Sequence, residues 1–307
     1  MYSRREFGKL AIAGLAMPTL ARAAGAVDAS IAGVRVGVQT YSFRALPRPA
    51  GGDAVDGIIA AMTACGLADC ELFAPQVEPG VSTGQGRNGD PAARAKARED
   101  LRRWRVDTPL DHFERIRAKF AAAGLSIYAY NYSFETGMSD TEIGRGFDMA
   151  RALGAEIITA STTLKMAERV VPFAEGHQMV VAMHGHSNAA DPNEFCTPDS
   201  FAAAMKMSKL FKVNLDIGHF TAANFDAVAY IREHHADITN LHLKDRKKNQ
   251  GDNMAWGEGD TPIMAVLQLL KKEKWPIRAF IEYEHNGTAS PVDEVKTCFA
   301  FVKRALA

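Results

Sequence analysis

From residue 34 to its C-terminus the chain alternates short apolar runs with longer segments of helical spacing, eight times over. The runs span 34–40, 69–74, 126–131, 156–160, 179–184, 212–217, 238–244 and 278–284. Each is short and rich in β-branched or aromatic residues, as buried parallel strands are. The intervening segments carry helix punctuation. Asp53 opens one that ends near Gly66. Thr108-Pro109 places a threonine N-cap before a proline at the first helical position, and Gly124 closes that segment. Thr197-Pro198 and Thr261-Pro262 repeat the device, Ser139 begins a segment ending at Gly154, and the last starts near Ser290-Pro291. Eight strands alternating with eight helices predict a single-domain α/β fold, a closed parallel (β/α)8 TIM barrel. An open doubly wound sheet is the alternative, but its GxGxxG turn is missing after the first strand. Gly84-Gln85-Gly86 falls in a loop after the second and reads as a flexible connection.

Two strand-to-helix connections are long, 75–107 and 245–260, and both follow a strand's C-terminal end, where barrel enzymes place their sites. The first carries Arg94, Lys96, Arg98, Arg102, Arg103 and Arg105 with Trp104. It reads as a solvated accessory helix, with a lid or a subunit contact in a homo-oligomer as the alternative.

The 36 acidic and 36 basic residues cancel, so no global field draws the protein to nucleic acid or an anionic membrane. Cys65, Cys70, Cys196 and Cys298 form no CxxC or zinc-ribbon spacing and read as buried free thiols. Ser3-Arg4-Arg5-Glu6-Phe7-Gly8-Lys9 is a twin-arginine pattern. A weakly apolar run, 10–20, and an A-x-A site, Ala21-Arg22-Ala23, follow it. Residues 1–23 are therefore expected to be an export signal, leaving 24–307 as a periplasmic barrel with no membrane attachment once the signal is removed.

Polar residues stand at the ends of the last four apolar strands, where burial is costly unless something pairs with them. They are His184 in Ala182-Met183-His184-Gly185-His186, Asp216 in Leu215-Asp216-Ile217-Gly218-His219, His242 in Leu241-His242-Leu243-Lys244-Asp245, and Glu282 in Ile281-Glu282-Tyr283-Glu284. In a closed barrel these ends converge on the axis. Two imidazoles and two carboxylates there suit one divalent ion, Mn²⁺, Mg²⁺, Co²⁺ or Zn²⁺. Lys244 and Glu284 share the inward parity of His242 and Glu282. Glu284 and Glu71, at the end of strand 2, each suit proton transfer or the orientation of a ligand histidine. Arg246, Lys247 and Lys248 add local positive charge, which is either a solvated turn or part of the site. Tyr41, Phe43, Tyr130, Tyr132 and Trp256 stand near strand ends, where an aromatic face can stack on a sugar. Asn131, His186 and Asn188 offer hydrogen bonds to hydroxyl groups.

These segments resemble the xylose-isomerase-like barrel superfamily, the sugar-phosphate isomerase/epimerase and endonuclease-IV-like group. The matching pieces are Gly37-Val38-Gln39-Thr40-Tyr41-Ser42, Glu71-Leu72-Phe73, Leu215-Asp216-Ile217-Gly218-His219, His242-Leu243-Lys244-Asp245, Gly257-Glu258-Gly259 and Ile281-Glu282-Tyr283-Glu284. The resemblance implies that Asp216, His242 and Glu282 are metal ligands and that His219 contacts a substrate oxygen. It also marks a departure. Many isomerases and epimerases of the group supply from strand 5 a glutamate that both binds the metal and moves a proton, and here that position is His184. Proton abstraction then falls to Glu282, Glu284, Glu71, His186 or His219. The implied activity is a metal-dependent sugar isomerase or epimerase acting beside a carbonyl, with a lyase or hydratase on keto-glycosides as the alternative. A non-catalytic sugar-binding barrel and an endonuclease-IV-like phosphodiesterase are remoter readings.

Overall fold

The computed structural model describes residues 29–49, 52–79 and 90–307. The twin-arginine segment and Gly84-Gln85-Gly86 lie outside the described residues.

Eight parallel strands close on themselves. They are β1 (Val34–Gln39), β2 (Asp69–Phe73), β3 (Ser126–Asn131), β4 (Ile157–Ser161), β5 (Val180–His184), β6 (Phe211–Asp216), β7 (Ile238–Leu243) and β8 (Arg278–Ile281). Each pairs with its sequence neighbour, and β8 returns to β1 with Val36 opposite Ala279 and Val38 opposite Ile281. A two-residue strand, Ser30–Ile31, turns back antiparallel onto the start of β1.

Among the described residues ten helices surround the strands: α1 (Val55–Cys65), α2 (Pro91–Asp107), α3 (Asp111–Ala122), α4 (Asp140–Ala152), α5 (Leu164–His177), α6 (Pro198–Met207), α7 (Ile217–Ala222), α8 (Ala227–His234), α9 (Ile263–Glu273) and α10 (Pro291–Leu306). The outward parity of the strands (Val38, Leu72, Val181, Leu215, Leu243, Ile281) packs against an apolar stripe on the helices, including Ile58, Phe113, Phe147, Val266 and Val302. Burying each such side chain stabilises by about 1.5–3 kcal/mol, and this shell is what holds the helices on the barrel. No helix among the described residues is long and apolar enough to cross a membrane.

Local capping agrees with the sequence at Ser139 and Thr197, which form capping boxes with Glu142 and Ser200, and at Ser290. Two caps differ. Thr108 ends α2, its hydroxyl donating to the Trp104 carbonyl, and α3 starts later with Leu110 at its cap. Thr261 forms no cap either: its hydroxyl accepts from Arg246 N and its own N–H donates to Asp245, so it ties down the 245–260 loop. In both places a nearby backbone or carboxylate partner outcompetes the local helix start. The basic connection contains α2, which has no buried residue and whose charges pair within the helix (Lys96–Asp100, Arg102–Glu99) or with the barrel (Arg105–Glu78).

The barrel interior is layered. Near the N-terminal end, Tyr128, Ala129, Ile157, Ala182 and Phe280 form a separate apolar plug. Gly37 makes room for it, since a Cβ there would come within 2.6 Å of the Phe280 ring. Arg278, stacked 3.3 Å over Tyr128 and paired with Asp69, lies against this plug. One layer higher the interior becomes polar around the fully buried Glu71. Its carboxylate accepts from Gln39 (2.6 Å), Asn131 (3.0 Å), Thr159 (2.7 Å), Asn240 (2.9 Å) and, more loosely, Asn214 (3.3 Å). Register shifts at Cys70/Glu71 and Val213/Asn214 turn two members of this layer inward, as β-bulges do.

Candidate metal centre

Above the polar layer the ends of β5 to β8 bring His184, Asp216, His242 and Glu282 together. All four are buried, and one ligand atom from each lies within 4.8 Å of the others. Three of the four side chains spend one polar atom on the protein and leave the second for the common point. Asp216 closes β6 and caps α7, its Oδ1 accepting from His219 N at 2.7 Å, so Oδ2 is left over. His242 Nε2 donates to Glu71 Oε2 at 2.9 Å, leaving Nδ1. His184 Nδ1 faces Ser161 Oγ at 3.0 Å, leaving Nε2. The leftover atoms His184 Nε2, Asp216 Oδ2 and His242 Nδ1, with Glu282 Oε2, are buried and have no hydrogen-bond partner among the described residues. Buried polar atoms are rarely orphaned without a reason. Ligands at 2.0–2.2 Å from a divalent ion span up to about 4.4 Å across it. The separations of 3.4 Å (His242 to Glu282), 3.6 Å (His184 to Asp216) and 3.9 Å (His242 to Asp216) lie inside that range, and the bound of 4.8 Å on the full set is slightly wider. Donor chemistry, geometry and the orphaned atoms all fit one divalent cation, with a carboxylate behind one ligand histidine as metal centres commonly have.

Lys244 supplies countercharge. Its ammonium lies 2.9 Å from Asp216 Oδ2 and 2.9 Å from Glu282 Oε2, contacts without hydrogen-bond alignment, and donates to Glu284 at 2.6 Å. Burial pushes the Asp216 and Glu282 carboxyls up, but Lys244 and the neighbouring histidines hold both well below the usual range. Burial would lower His242, yet Glu71 and Glu282 raise it well above an ordinary imidazole. Lys244 is likewise raised against burial by Asp216, Glu282 and Glu284.

His219 lies between two cations. Arg246 Nη1 is 2.7 Å from its Nδ1, and Lys244 Nζ is 3.1 Å from Nε2. A guanidinium and an ammonium only donate and a neutral imidazole has one acceptor nitrogen, so one of the two cations donates to the ring and the other lies beside its N–H. Burial and Lys244 keep the ring neutral. Gly218 permits this approach, because a Cβ would come within 2.7 Å of the Lys244 carbonyl. His186 is also kept neutral, its pKa pushed down to about 3 by burial and by His184 and Lys244.

A cavity of about 270 Å³ opens on this cluster, near the lower end of small-molecule sites. Tyr41, Asn131, His186, His219, Lys244 and Glu284 line it, with His184, His242 and Glu282 at its base. Wider hollows of about 420 and 450 Å³ lie against α6 and α8 and beside the end of α2, away from the strand ends. Glu71 stands beneath the cavity. Arg246 stands behind it, bound to His219, Ser187 and Gly251. Asn188 and Trp256 do not reach it. Asn188 is exposed in a turn where it accepts from Ala190 N, and Trp256 packs edge-on against Phe301 of α10. The reason for the second is Asp245, whose carboxylate accepts from Gly257 N, Gly259 N and Thr261 N and folds the loop outward. Lining residues that sequence reasoning missed are Gln39, Phe73 and Ser161. Their signal was inward parity at a strand end, but neutral side chains there are too common to stand out.

A family model described as a xylose isomerase-like TIM barrel matches residues 103–304. No curated protein sequence matches the chain. Among solved structures, a sugar phosphate isomerase/epimerase from Parabacteroides distasonis is 16% identical over 91% of this chain and 96% of its own, with a TM-score of 0.57. The probable 3-DHS dehydratase of petrobactin synthesis from Bacillus anthracis is 14% identical over 86% and 98%, with a TM-score of 0.60. A 3-keto-D-glucoside 4-epimerase from E. coli is 10% identical over 88% and 99%, with a TM-score of 0.60. At these identities the likeness establishes the fold.

Proposed function

The chain belongs to the xylose isomerase-like TIM-barrel family, and on that premise we propose that it is a divalent-metal-dependent sugar isomerase or epimerase. The observation that carries the reading is the convergence of four buried, otherwise unpartnered ligand atoms on one point at the floor of a small polar cavity. His184, Asp216, His242 and Glu282 would hold the ion, which when bound polarises a carbonyl and its neighbouring hydroxyl so that the adjacent C–H becomes acidic. Around it His219, bracketed by Arg246 and Lys244, is placed to contact a substrate oxygen. Gln39, Asn131 and Ser161 present hydrogen-bonding groups suited to hydroxyls, and Tyr41 with Phe73, edge to face at 5.2 Å, gives a wall for the apolar side of a sugar. Lys244, already shared among three carboxylates, balances charge.

A lyase or hydratase acting on keto-glycosides is the second reading. It is favoured by His184 standing where the resemblance leads one to expect a ligand glutamate that moves protons, and a dehydratase is among the proteins of this fold. The leader pattern at 1–23 supports export by the twin-arginine route and a periplasmic barrel over 24–307. Fractionation and N-terminal sequencing of the mature protein test that part.

The test of the activity is metal analysis of the purified protein, followed by proton NMR of D-fructose and 3-keto-D-glucose in D2O. Deuterium entering beside the carbonyl, with isomer or epimer formed, is the expected result. An olefinic or cleaved product would favour the lyase. Bound metal with unexchanged sugars would overturn the assignment.

A further inference from the structure

Helices α6 and α8 follow neighbouring strands, β5 and β6, so the barrel sets them side by side in its outer ring. Neighbouring helices usually fill the space between them with interlocking side chains. Here Ala202 and Ala229 line the gap, and a hollow of about 420 Å³ lies between the helices. No residue lines both this hollow and the cavity over the metal centre. Its floor is aromatic. The buried Phe220 and Tyr230 have ring centroids 5.0 Å apart, and Phe225 lies 5.0 Å from Phe220. His234 lies 4.4 Å from Tyr230 and extends the wall.

The rim is acidic. Asp199, Asp226 and Glu233 are exposed around it, and no lysine or arginine is among the described lining residues. Helix starts account for two of the acids. Asp199 sits in the first turn of α6, and Asp226 caps α8, its Oδ1 accepting from Ala229 N at 3.0 Å. They do not account for Glu233, which stands in the last turn of α8, where the helix dipole disfavours a negative charge. Between floor and rim stands one orphaned group. Tyr230 is 6% exposed, and its phenol oxygen is buried with no hydrogen-bond partner among the described residues. A buried phenol ordinarily has such a partner. Burial and the charges of Asp237 and Glu233 raise its pKa, so the group stays a phenol with its oxygen near the acidic side.

We propose that this hollow binds a short linear alkylamine in its ammonium form. One chemical group answers all three features. An ammonium N–H donates to the Tyr230 phenol oxygen, and its charge meets Asp199, Asp226 and Glu233. Its alkyl carbons lie along Phe220 and Phe225, and aromatic faces attract the cation as well. A bare metal ion would face rings that offer it no ligand, and the rim repels an anion. The site is independent of the sugar reading, since it shares no lining residue with the metal centre.

The experiment titrates the purified protein, with and without Mn²⁺, with 1,4-diaminobutane and its uncharged counterpart 1,4-butanediol in a calorimeter. Tyr230→Phe, Asp226→Asn and Ala229→Leu are compared with wild type, and melting temperatures check that each is folded. Asp226→Asn keeps a side chain that can cap α8, and Tyr230→Phe removes only an unpartnered hydroxyl. Wild type should bind the diamine saturably at a single site, with or without Mn²⁺, more weakly as salt is raised, and should not bind the diol. Tyr230→Phe should weaken binding about tenfold or more, the scale of one hydrogen bond to a charged group. Asp226→Asn should weaken it roughly two- to fivefold, the scale of one exposed ion pair. Ala229→Leu, which fills the hollow, should abolish it. No saturable binding by wild type, equal binding of the diol, or full affinity in Tyr230→Phe or Ala229→Leu overturns the proposal. So does a wild-type dimer in sedimentation that Ala229→Leu dissociates and the diamine leaves intact, which would make a second copy the occupant.

Discussion

Strands β5 to β8 deliver His184, Asp216, His242, Lys244 and Glu282 to the barrel mouth, whereas β1 to β4 deliver Gln39, Tyr41, Phe73, Asn131 and Ser161, none charged at neutral pH. The charged half gathers every atom suited to a cation and neutralises itself through Lys244. The neutral half offers hydrogen bonds and an aromatic wall without competing for the ion. The difference teaches how, on the proposed reading, one cylinder separates two tasks, with a cation on one side and a sugar on the other. Glu71 joins the halves from below, accepting from Gln39, Asn131 and Thr159 on one side and from Asn240 and His242 on the other.

That division can be broken at its joint. Glu71→Gln removes a charge that buried donors from both halves surround, and we expect a loss of about 3–5 kcal/mol in denaturant unfolding, as for breaking a buried ion pair from one side. A loss under about 1 kcal/mol would show the polar layer to be incidental.

The next effect falls on the charged half alone. His242→Ala should leave far-ultraviolet dichroism unchanged and retain no divalent ion after desalting. Wild type should gain about 2.7 kcal/mol of stability at a hundredfold excess of Mn²⁺ over its dissociation constant, a gain the variant lacks. Equal metal content in the two proteins would mean the four atoms do not form the site.

Lys244→Met sharpens the same half. Without its ammonium, Asp216 and Glu282 face each other uncompensated, so the metal-free variant should melt below metal-free wild type. Its melting temperature should then rise more than that of wild type on adding Mn²⁺. A smaller metal-induced rise would make Lys244 a partner of the ion instead of its counterweight.

The smallest expected change is on the neutral half. Phe73→Ala should raise KM for the sugar by roughly tenfold, the worth of one stacking contact at about 1 kcal/mol or slightly more, with metal content unchanged. A change in metal content would erase the distinction between the halves.

The strands were legible because buried parallel strands are short, rich in β-branched and aromatic residues, and separated by helix signals. The candidate ligands were legible because a charged or imidazole side chain inside such a run must have a partner. Asn240, His242 and Lys244 recur at every second position, as do Asn214 with Asp216 and Glu282 with Glu284, so inward parity was written locally. Thr159, Asn214 and Asn240 passed unnoticed as donors to Glu71, since each is unremarkable in its own strand. Thr108, Thr261, Asn188 and Trp256 were misplaced for a related reason. Their partners, the Trp104 carbonyl, Arg246 N, Ala190 N and the Phe301 ring, answer to loop paths that no period encodes.

By itself the sequence determined the alternation of elements, the closed layer they must form, and which residue types arrive at each strand end, because the side-chain period of a strand and the cost of burying charge are local rules. Tertiary structure alone decided which atom of each residue is spent on the protein and which is left over. It set Asp216 Oδ1 on a helix cap, His242 Nε2 on Glu71 and His219 Nδ1 on Arg246. Those choices depend on the stagger of eight strands around a closed ring and on two register shifts within it, which bring together residues as far apart in the chain as Glu71 and His242.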